Sequence, residues 1–361
     1  MHILHVVGAR PNFMKAAPVL HALALHPGVR QTLIHTGQHY DSAMSDVFFQ
    51  QLQMPMPDCN LGVGSGTHAQ QTAAVLTAIE PVLLERKPDI VLVYGDVNST
   101  IAAALVCSKI GIRVAHVEAG LRSRDRSMPE EINRLVTDQL SDLLFSPSQD
   151  GNENLRAEGI DPGKIHLVGN VMIDTLVRLL PQAKKEFPVD PSCPYALVTL
   201  HRPSNVDDLP WLQEMLSTLS QLSERLHIIF PVHPRTRQRL GALGSSIAAN
   251  GRLQLLDPLP YLSFLALQAR AAMVITDSGG IQEETSYLHV PCLTVRENTE
   301  RPITVSLGTN QLVGRDLEKL KQAARQILRT ESEPAPRETS PGIPLWDGHA
   351  SERIAEVILR R

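Results

Sequence analysis

Short apolar runs alternate along this chain with longer stretches whose apolar positions recur every three to four residues. The runs at 3–7, 89–94, 114–117 and 165–168 are continuous and rich in β-branched residues. Such runs suit strands of a parallel sheet covered on both faces, where neither face is left polar. Residues 69–85 and 99–109 between them carry the helical period. The β-α alternation predicts a doubly wound sheet. The pattern then restarts, with strands expected at 195–200, 226–230, 253–256, 272–276 and 292–295.

Between the two sets, residues 181–194 hold four prolines and several charges. The hinge is expected slightly earlier, at Gly169-Asn170. This gives an N-terminal Rossmann-like domain over 1–169 and a C-terminal one over 170–347. A closing helix, Glu352 to Arg361 in the segment 348–361, is expected to return to the first domain, after a Pro-, Glu- and Ser-rich surface loop over 330–347. The fold class expected is α/β, with two Rossmann-like doubly wound domains facing a cleft. Ligands in such open sheets sit at the carboxyl ends of the strands.

The length of 361 residues agrees with two cores rather than one. Hydrophobic residues at 43% and charged residues at 20% fit an ordinary globular chain. A net charge of -4 gives no electrostatic reason to expect nucleic acid or an anionic membrane. Any bound anion must therefore be met by a few placed groups. The N-terminus lacks the basic and long apolar regions of a signal peptide, and no apolar run is long enough to span a bilayer. A cytoplasmic location is expected. Cys59, Cys107, Cys193 and Cys292 are scattered and read as reduced structural thiols. His35 and His39 stand four apart without a third ligand, so no metal site is expected. Gly62 to Gly66 has the wrong spacing for a dinucleotide fingerprint and follows no clear strand, so no nicotinamide cofactor is expected.

Residues with chemistry cluster where strands end. After the first comes Gly8-Ala9-Arg10-Pro11-Asn12-Phe13-Met14-Lys15, in which Asn12 can cap a helix starting at Phe13. Arg10 and Lys15 then bring two cations to a helix N-terminus, which suits an anion. Solvated charges at a plain turn explain this segment equally well. Asp96 follows the strand ending at Tyr94, ahead of a helix capped by Asn98 or Ser99. Glu118 follows the next strand, and Glu130 and Glu131 open a further helix. Capping and dipole complement account for Asp96, Glu130 and Glu131. Neither accounts for Glu118, whose carboxylate directly after an apolar strand needs a partner.

In the second half, His201 and Arg202 follow a strand, as do His233 and Arg235. Thr276-Asp277-Ser278-Gly279-Gly280-Ile281-Gln282-Glu283-Glu284 runs from a strand through two glycines into a helix. Backbone N–H groups there can approach a diphosphate at the positive helix end. Glu284, one turn in, can accept hydrogen bonds from ribose hydroxyls. Glu300-Arg301-Pro302 adds a cation.

In this order the segments resemble the non-hydrolysing UDP-N-acetylglucosamine 2-epimerases, and the resemblance covers nearly the whole chain. It implies a fold shared with many glycosyltransferases, a UDP-sugar substrate, no cofactor and a homodimer. It implies substrate binding by Arg10, Lys15, Asp96, Glu118, His201, Phe264, Ser278, Gly279, Gly280, Glu284 and Arg301. It also makes Asp96, Glu118 and Glu130 the acid/base carboxylates, with His201 joining the catalytic groups. Departure of UDP would make C1 oxocarbenium-like and the C2 hydrogen acidic. A base would then give a glycal, and a proton would return from the other face. Thr36-Gly37-Gln38-His39-Tyr40 matches the Gln-His of the family's activator site, with Tyr40 where many bacterial members carry Arg. Leu259 stands where some members have Gln. The segments at Gly8–Phe13 and His35–His39 look like the branch acting on UDP-2,3-diacetamido-2,3-dideoxy-glucuronic acid, whereas Glu300–Pro302 looks like the UDP-N-acetylglucosamine branch. Competing readings are a hydrolysing epimerase, a sugar-nucleotide sensor and a retaining glycosyltransferase, the last of which has no need of proton exchange on two ring faces.

Overall fold

The computed structural model describes residues 1–38, 49–187, 194–232, 234–240, 252–330 and 342–360. The chain forms two compact units, Met1–Thr175 with Pro344–Arg361, and Leu176–Ile343.

The first unit holds strands β1 (His2–Val7), β2 (Arg30–His35), β3 (Cys59–Asn60), β4 (Ile90–Tyr94), β5 (Arg113–Val117), β6 (Leu143–Ser146) and β7 (Ile165–Leu167). They form one parallel sheet in the order β3-β2-β1-β4-β5-β6-β7. In the register of the central pair, Ile3 stands opposite Ile90 and Val6 opposite Val93. Both central strands are buried along their whole length, as unbroken apolar runs require. His5 is accommodated because its Nδ1 meets the Tyr94 hydroxyl at 2.7 Å. Burial pushes its pKa down to about 3, so the ring is neutral.

The connecting helices are α1 (Arg10–Ala24), α2 (His68–Arg86), α3 (Asn98–Ile110), α4 (Pro129–Leu140), α5 (Gln149–Ala157) and α6 (Val171–Glu186). Helix α2 starts on a reciprocal cap between Thr67 and Gln70. Helix α6 runs through Pro181, so the first of the four linker prolines is helical.

The second unit contains β8 (Tyr195–Thr199), β9 (His227–Pro231), β10 (Leu253–Leu256), β11 (Met273–Thr276), β12 (Cys292–Thr294) and β13 (Asn310–Leu312). All pair in parallel in the order β10-β9-β8-β11-β12-β13. Its helices are α7 (Pro203–Val206), α8 (Leu209–Leu222), α9 (Pro234–Leu240), α10 (Tyr261–Arg270), α11 (Gly279–Leu288), α12 (Ile303–Ser306) and α13 (Leu317–Thr330). Met215 and Leu219 of α8 and Ala324 of α13 join one core layer. Phe264 of α10 and Ile281 of α11 pack in another. The last helix, α14 (Ala350–Leu359), packs on α1. Its first N–H groups, from Ala350 and Ser351, donate to the Asp174 carboxylate of α6 at 3.1 and 2.7 Å.

The α/β class with two doubly wound sheets is therefore as the alternation predicts. Numbered within its own unit, each sheet runs 3-2-1-4-5-6, and the first continues to a seventh strand beside the sixth. The reversal of strand order falls between β1 and β4 in one unit and between β8 and β11 in the other. Ligands of such sheets bind beyond the carboxyl ends at that reversal.

Two local expectations need correction. Helix α1 begins at Arg10 behind Ala9, not at Phe13. Asn12 lies inside it and reaches back, its Oδ1 accepting from the N–H groups of Gly8 (3.0 Å) and Ala9 (3.1 Å). Helix α3 begins at Asn98 behind Val97, so neither Asn98 nor Ser99 caps it. Ser99 instead donates its hydroxyl to Gln38 Oε1 at 2.7 Å.

Candidate functional site

In the first unit, three strand ends converge. Asn12 donates to the Tyr94 carbonyl at 2.7 Å, which ties the β1 turn to the end of β4. Gly95 follows in the left-handed region (φ 61°), and a Cβ there would lie 2.5 Å from Lys15 Nζ and 3.1 Å from Glu118 Oε2. Lys15, in α1, is buried and donates to Glu118 Oε2. A buried carboxylate needs such a partner, because unpaired charge in a low dielectric is strongly unfavourable. Glu118 itself has φ 75°, an uncommon conformation for a residue with a side chain. Backbone strain of this kind concentrates at working sites. The N–H groups of Glu118 and Ala119 both donate to the Phe145 carbonyl at 3.0 Å, which fixes the strained turn on β6.

Beneath this turn lies a second charged group. His116 Nε2 meets the Gly95 carbonyl at 2.8 Å, and its Nδ1 meets Asp138 Oδ1 at 2.6 Å. Asp138 Oδ2 accepts from Arg122 (2.7 Å) and from the Gly120 N–H (3.1 Å). Burial opposes ionisation of Asp138, but His116 and Arg122 outweigh it and hold the carboxyl below its ordinary value.

Asp96 is gripped from α4. Its Oδ2 accepts from Arg134 Nε at 3.0 Å and Nη2 at 2.6 Å, and its carbonyl accepts from Asn133 at 2.8 Å. Arg134 also donates to Glu131 at 2.6 Å. Glu131 is buried and accepts from the N–H groups of Ser123 (2.9 Å) and Arg124 (2.8 Å). It pins the preceding loop, whereas Glu130 beside it is only half-buried. Arg10 is exposed at the start of α1.

In the second unit, the β11 end and the start of α11 carry the corresponding groups. Ser278 precedes α11, whose first residues are Gly279 and Gly280. Space decides the first glycine, since a Cβ on Gly279 would lie 2.5 Å from Arg301 Nη1. Arg301 is ion-paired with Glu283 at 2.7 Å and Glu300 at 3.0 Å. Glu284 is buried and accepts from the Tyr261 hydroxyl at 2.9 Å. Burial pushes its pKa up to about 7. Phe264 lies one turn beyond Tyr261 on α10 and packs, like Ile281 and Leu288 of α11, against the core around Tyr195, Leu197 and Val274. His201 follows β8, and its Nδ1 stands 2.9 Å from Asp277 Oδ1.

A chain so built matches one family across 21–359: the UDP-N-acetylglucosamine 2-epimerase family model. The chain belongs to this family. It is 42% identical to a UDP-N-acetylglucosamine 2-epimerase of Methanococcus maripaludis, over 90% of this chain and 91% of that one. It is 40% identical to the UDP-2,3-diacetamido-2,3-dideoxy-D-glucuronate 2-epimerase of Pseudomonas aeruginosa, over the full length of both. The crystal structure of the Methanocaldococcus jannaschii UDP-GlcNAc 2-epimerase in complex with UDP-GlcNAc and UDP superimposes with a TM-score of 0.88 at 41% identity, covering 100% of both chains.

Within this epimerase, each unit gathers its own subset of the residues singled out from sequence. Lys15, Asp96, Glu118 and Glu130 lie in the first, with Arg10 at the rim of the same turn. His201, Phe264, Ser278 to Gly280, Glu284 and Arg301 lie in the second. Sequence reasoning passed over Asp277, Arg134, Asp138 and Tyr261 as individual residues. Asp277 stood inside a quoted motif and Arg134 in the helix that Glu130 and Glu131 open, but the partners that give them meaning are 38 or more residues away (His201 to Asp277 spans 76, and Asp96 to Arg134 spans 38). Gln38 is buried against Ser99, while His39, Tyr40, His233, Cys193 and the Arg235 side chain lie outside the described residues. Among the described residues no group of three or more His, Cys, Asp or Glu is placed to hold a metal ion, and no helix is long and apolar enough to cross a membrane.

Proposed function

We propose that this epimerase interconverts UDP-N-acetylglucosamine and UDP-N-acetylmannosamine by eliminating UDP to a glycal and adding it back. The observation that carries the reading is the pair of carboxylates on consecutive strand ends, Asp96 after β4 and Glu118 after β5, each locked to a cation. A protein that merely held a sugar nucleotide would have no use for two such groups or for the strained Glu118 backbone.

In this reading the C1–O bond breaks with its electron pair passing to the UDP phosphate. The resulting cation acidifies the C2 hydrogen, so a carboxylate already paired with a lysine is a sufficient base. Glu118 and Asp96 serve opposite ring faces, one taking the C2 proton and the other returning one, with Glu130 assisting. The start of α11 with Ser278, Gly279, Gly280 and Arg301 receives the diphosphate, where N–H groups and a guanidinium stabilise the leaving charge. Glu284 receives the ribose and Phe264 packs at the nucleotide. Arg10 and His201 complete the anion contacts. Lys15, expected to meet substrate, serves in this reading chiefly through Glu118.

A second reading is favoured by the 40% identity with the Pseudomonas aeruginosa enzyme, which gives a modified UDP-uronate as substrate. We further read the protein as a cytoplasmic homodimer acting without cofactor, nucleic acid or membrane. Light scattering tests the dimer.

The deciding experiment incubates the protein with UDP-N-acetylglucosamine and no acceptor in D2O, and follows products by NMR. The expected product is UDP-N-acetylmannosamine with deuterium at C2. Free N-acetylmannosamine would indicate a hydrolysing enzyme. An inert mixture that turns over with the diacetamido uronate would establish the second reading.

A further inference from the structure

We propose that Asp277 is a positioning residue that dictates which ring nitrogen of His201 carries the proton. The proposal rests on the reading in which His201 belongs to the UDP-sugar site. Asp277 stands at the end of β11 and is fully buried. Its two oxygens are used unequally. Oδ2 accepts from the N–H groups of His201 (3.0 Å) and Arg202 (2.9 Å) and from Asn205 Nδ2 (3.1 Å). Oδ1 faces His201 Nδ1 at 2.9 Å, with a longer contact of 3.2 Å to the His201 N–H. Burial opposes ionisation, but the His201 ring and these donors hold the carboxyl below its ordinary value.

An ionised carboxylate only accepts, so Nδ1 must donate. The proton that His201 exchanges, or the hydrogen bond it offers to an anionic oxygen, is therefore handled at Nε2. The imidazole is 44% exposed, so a ligand can reach the ring. A carboxylate that orients a histidine and fixes its tautomer is a recurring arrangement in catalysis. Neither member signals it in sequence, because the two are 76 positions apart.

The unequal use of the oxygens yields a sharp test. In Asp277→Asn the three donors on Oδ2 claim the single amide oxygen. The amide nitrogen must then turn toward His201 Nδ1, which becomes an acceptor. The loop stays clamped while the ring tautomer reverses.

The experiment is long-range 1H–15N NMR on protein labelled at histidine, with His201 assigned by its loss in His201→Gln, at a pH where the ring is neutral. Wild type should show Nδ1 protonated and Nε2 bare, and Asp277→Asn the reverse. Turnover of Asp277→Asn should fall about a hundredfold or more, the scale of a misplaced general acid or base, with KM within a few-fold. In a His201→Gln background the same change should add less than about twofold, because both act as one unit. An unchanged tautomer, or losses that multiply in the double variant, would overturn the proposal. Should Asp277→Asn fail to fold, the wild-type spectrum decides alone, since a ring protonated at Nε2 with bare Nδ1 is incompatible with the hold described. Near-normal turnover of His201→Gln would instead remove His201 from the reaction, and the tautomer would still report whether Asp277 governs the ring.

Discussion

The two units share a strand order and differ in what they place at its reversal. In the first, the space beyond β1 and β4 is filled by the chain's own charges. Lys15 closes on Glu118, Arg134 on Asp96, and Asn12 bridges the two turns. In the second, the corresponding space beyond β8 and β11 is lined by a helix start with two glycines and by a histidine held from behind. The first arrangement keeps carboxylates in fixed, partnered positions, which is what proton transfer needs. The second presents N–H groups and cations with small residues between them, which is what a diphosphate needs. In the proposed function one topology thus serves two purposes, and the division belongs to side chains rather than to the fold.

That division predicts where rate and affinity part company. Glu118→Gln keeps the size of the side chain and can still accept from Lys15, but it cannot take a proton. We expect kcat to fall by about a hundredfold or more, with UDP affinity changed by less than a few-fold. Asp96→Asn should behave alike. Steady-state kinetics with calorimetry of UDP binding checks both. A Glu118→Gln variant that turns over normally would merge the two units' roles and reopen the glycosyltransferase reading.

Gly95→Ala sharpens the comparison from the backbone. Alanine in the left-handed region costs about 1 kcal/mol, and its Cβ would press on Lys15 Nζ and Glu118 Oε2. The ammonium must shift, and the Glu118 carboxylate with it. We expect about a tenfold loss in kcat and a fall in melting temperature of several degrees. Gly111→Ala, at a helix end with open space around it, should show the backbone penalty with no loss of turnover. Equal turnover losses at the two glycines would break the link between the Gly95 turn and the carboxylate.

Much of this was legible in the chain. Continuous apolar runs marked the central strands, because only a sheet covered on both faces tolerates them. The segments ending those strands named Glu118, Asp96, His201 and the Ser278 to Glu284 turn. The edges were harder. β2 opens on the polar Arg30 and Gln31, and β3 and β13 are two and three residues long, too short to show a period. Helix starts were misplaced where capping came from an unexpected side chain. Asn12 serves from the third helical position, and Asp174 serves α14 from another helix. The partners that make Lys15 and Asp277 intelligible lie 103 and 76 positions away, and no local pattern encodes such pairs.

Among the candidate site residues the smallest expected effect on turnover comes from Glu284→Gln, and there affinity and stability move in opposite directions. Glu284 is buried, and its pKa is pushed up from 4.5 to about 7 in the folded protein. Between those values the folded state holds a proton that the unfolded chain has released. Stability therefore falls as pH rises through that window, and the full penalty persists above it. Glutamine carries no charge at any pH and can still accept from the Tyr261 hydroxyl. Without ligand, Glu284→Gln should thus be more stable than wild type at pH 8.5, by on the order of 1–3 kcal/mol. The advantage should fade at pH 5. With UDP the order should reverse, because in the proposed function the carboxylate that penalises folding is the group offered to the ribose hydroxyls. Losing a charged hydrogen-bond acceptor should weaken UDP binding about tenfold, with kcat within a few-fold of wild type. Urea melts at the two pH values, with and without UDP, read all of this. Stability curves that stay parallel from pH 5 to pH 8.5 would show that Glu284 ionises normally, and the opposition between folding and binding in the second unit would fall.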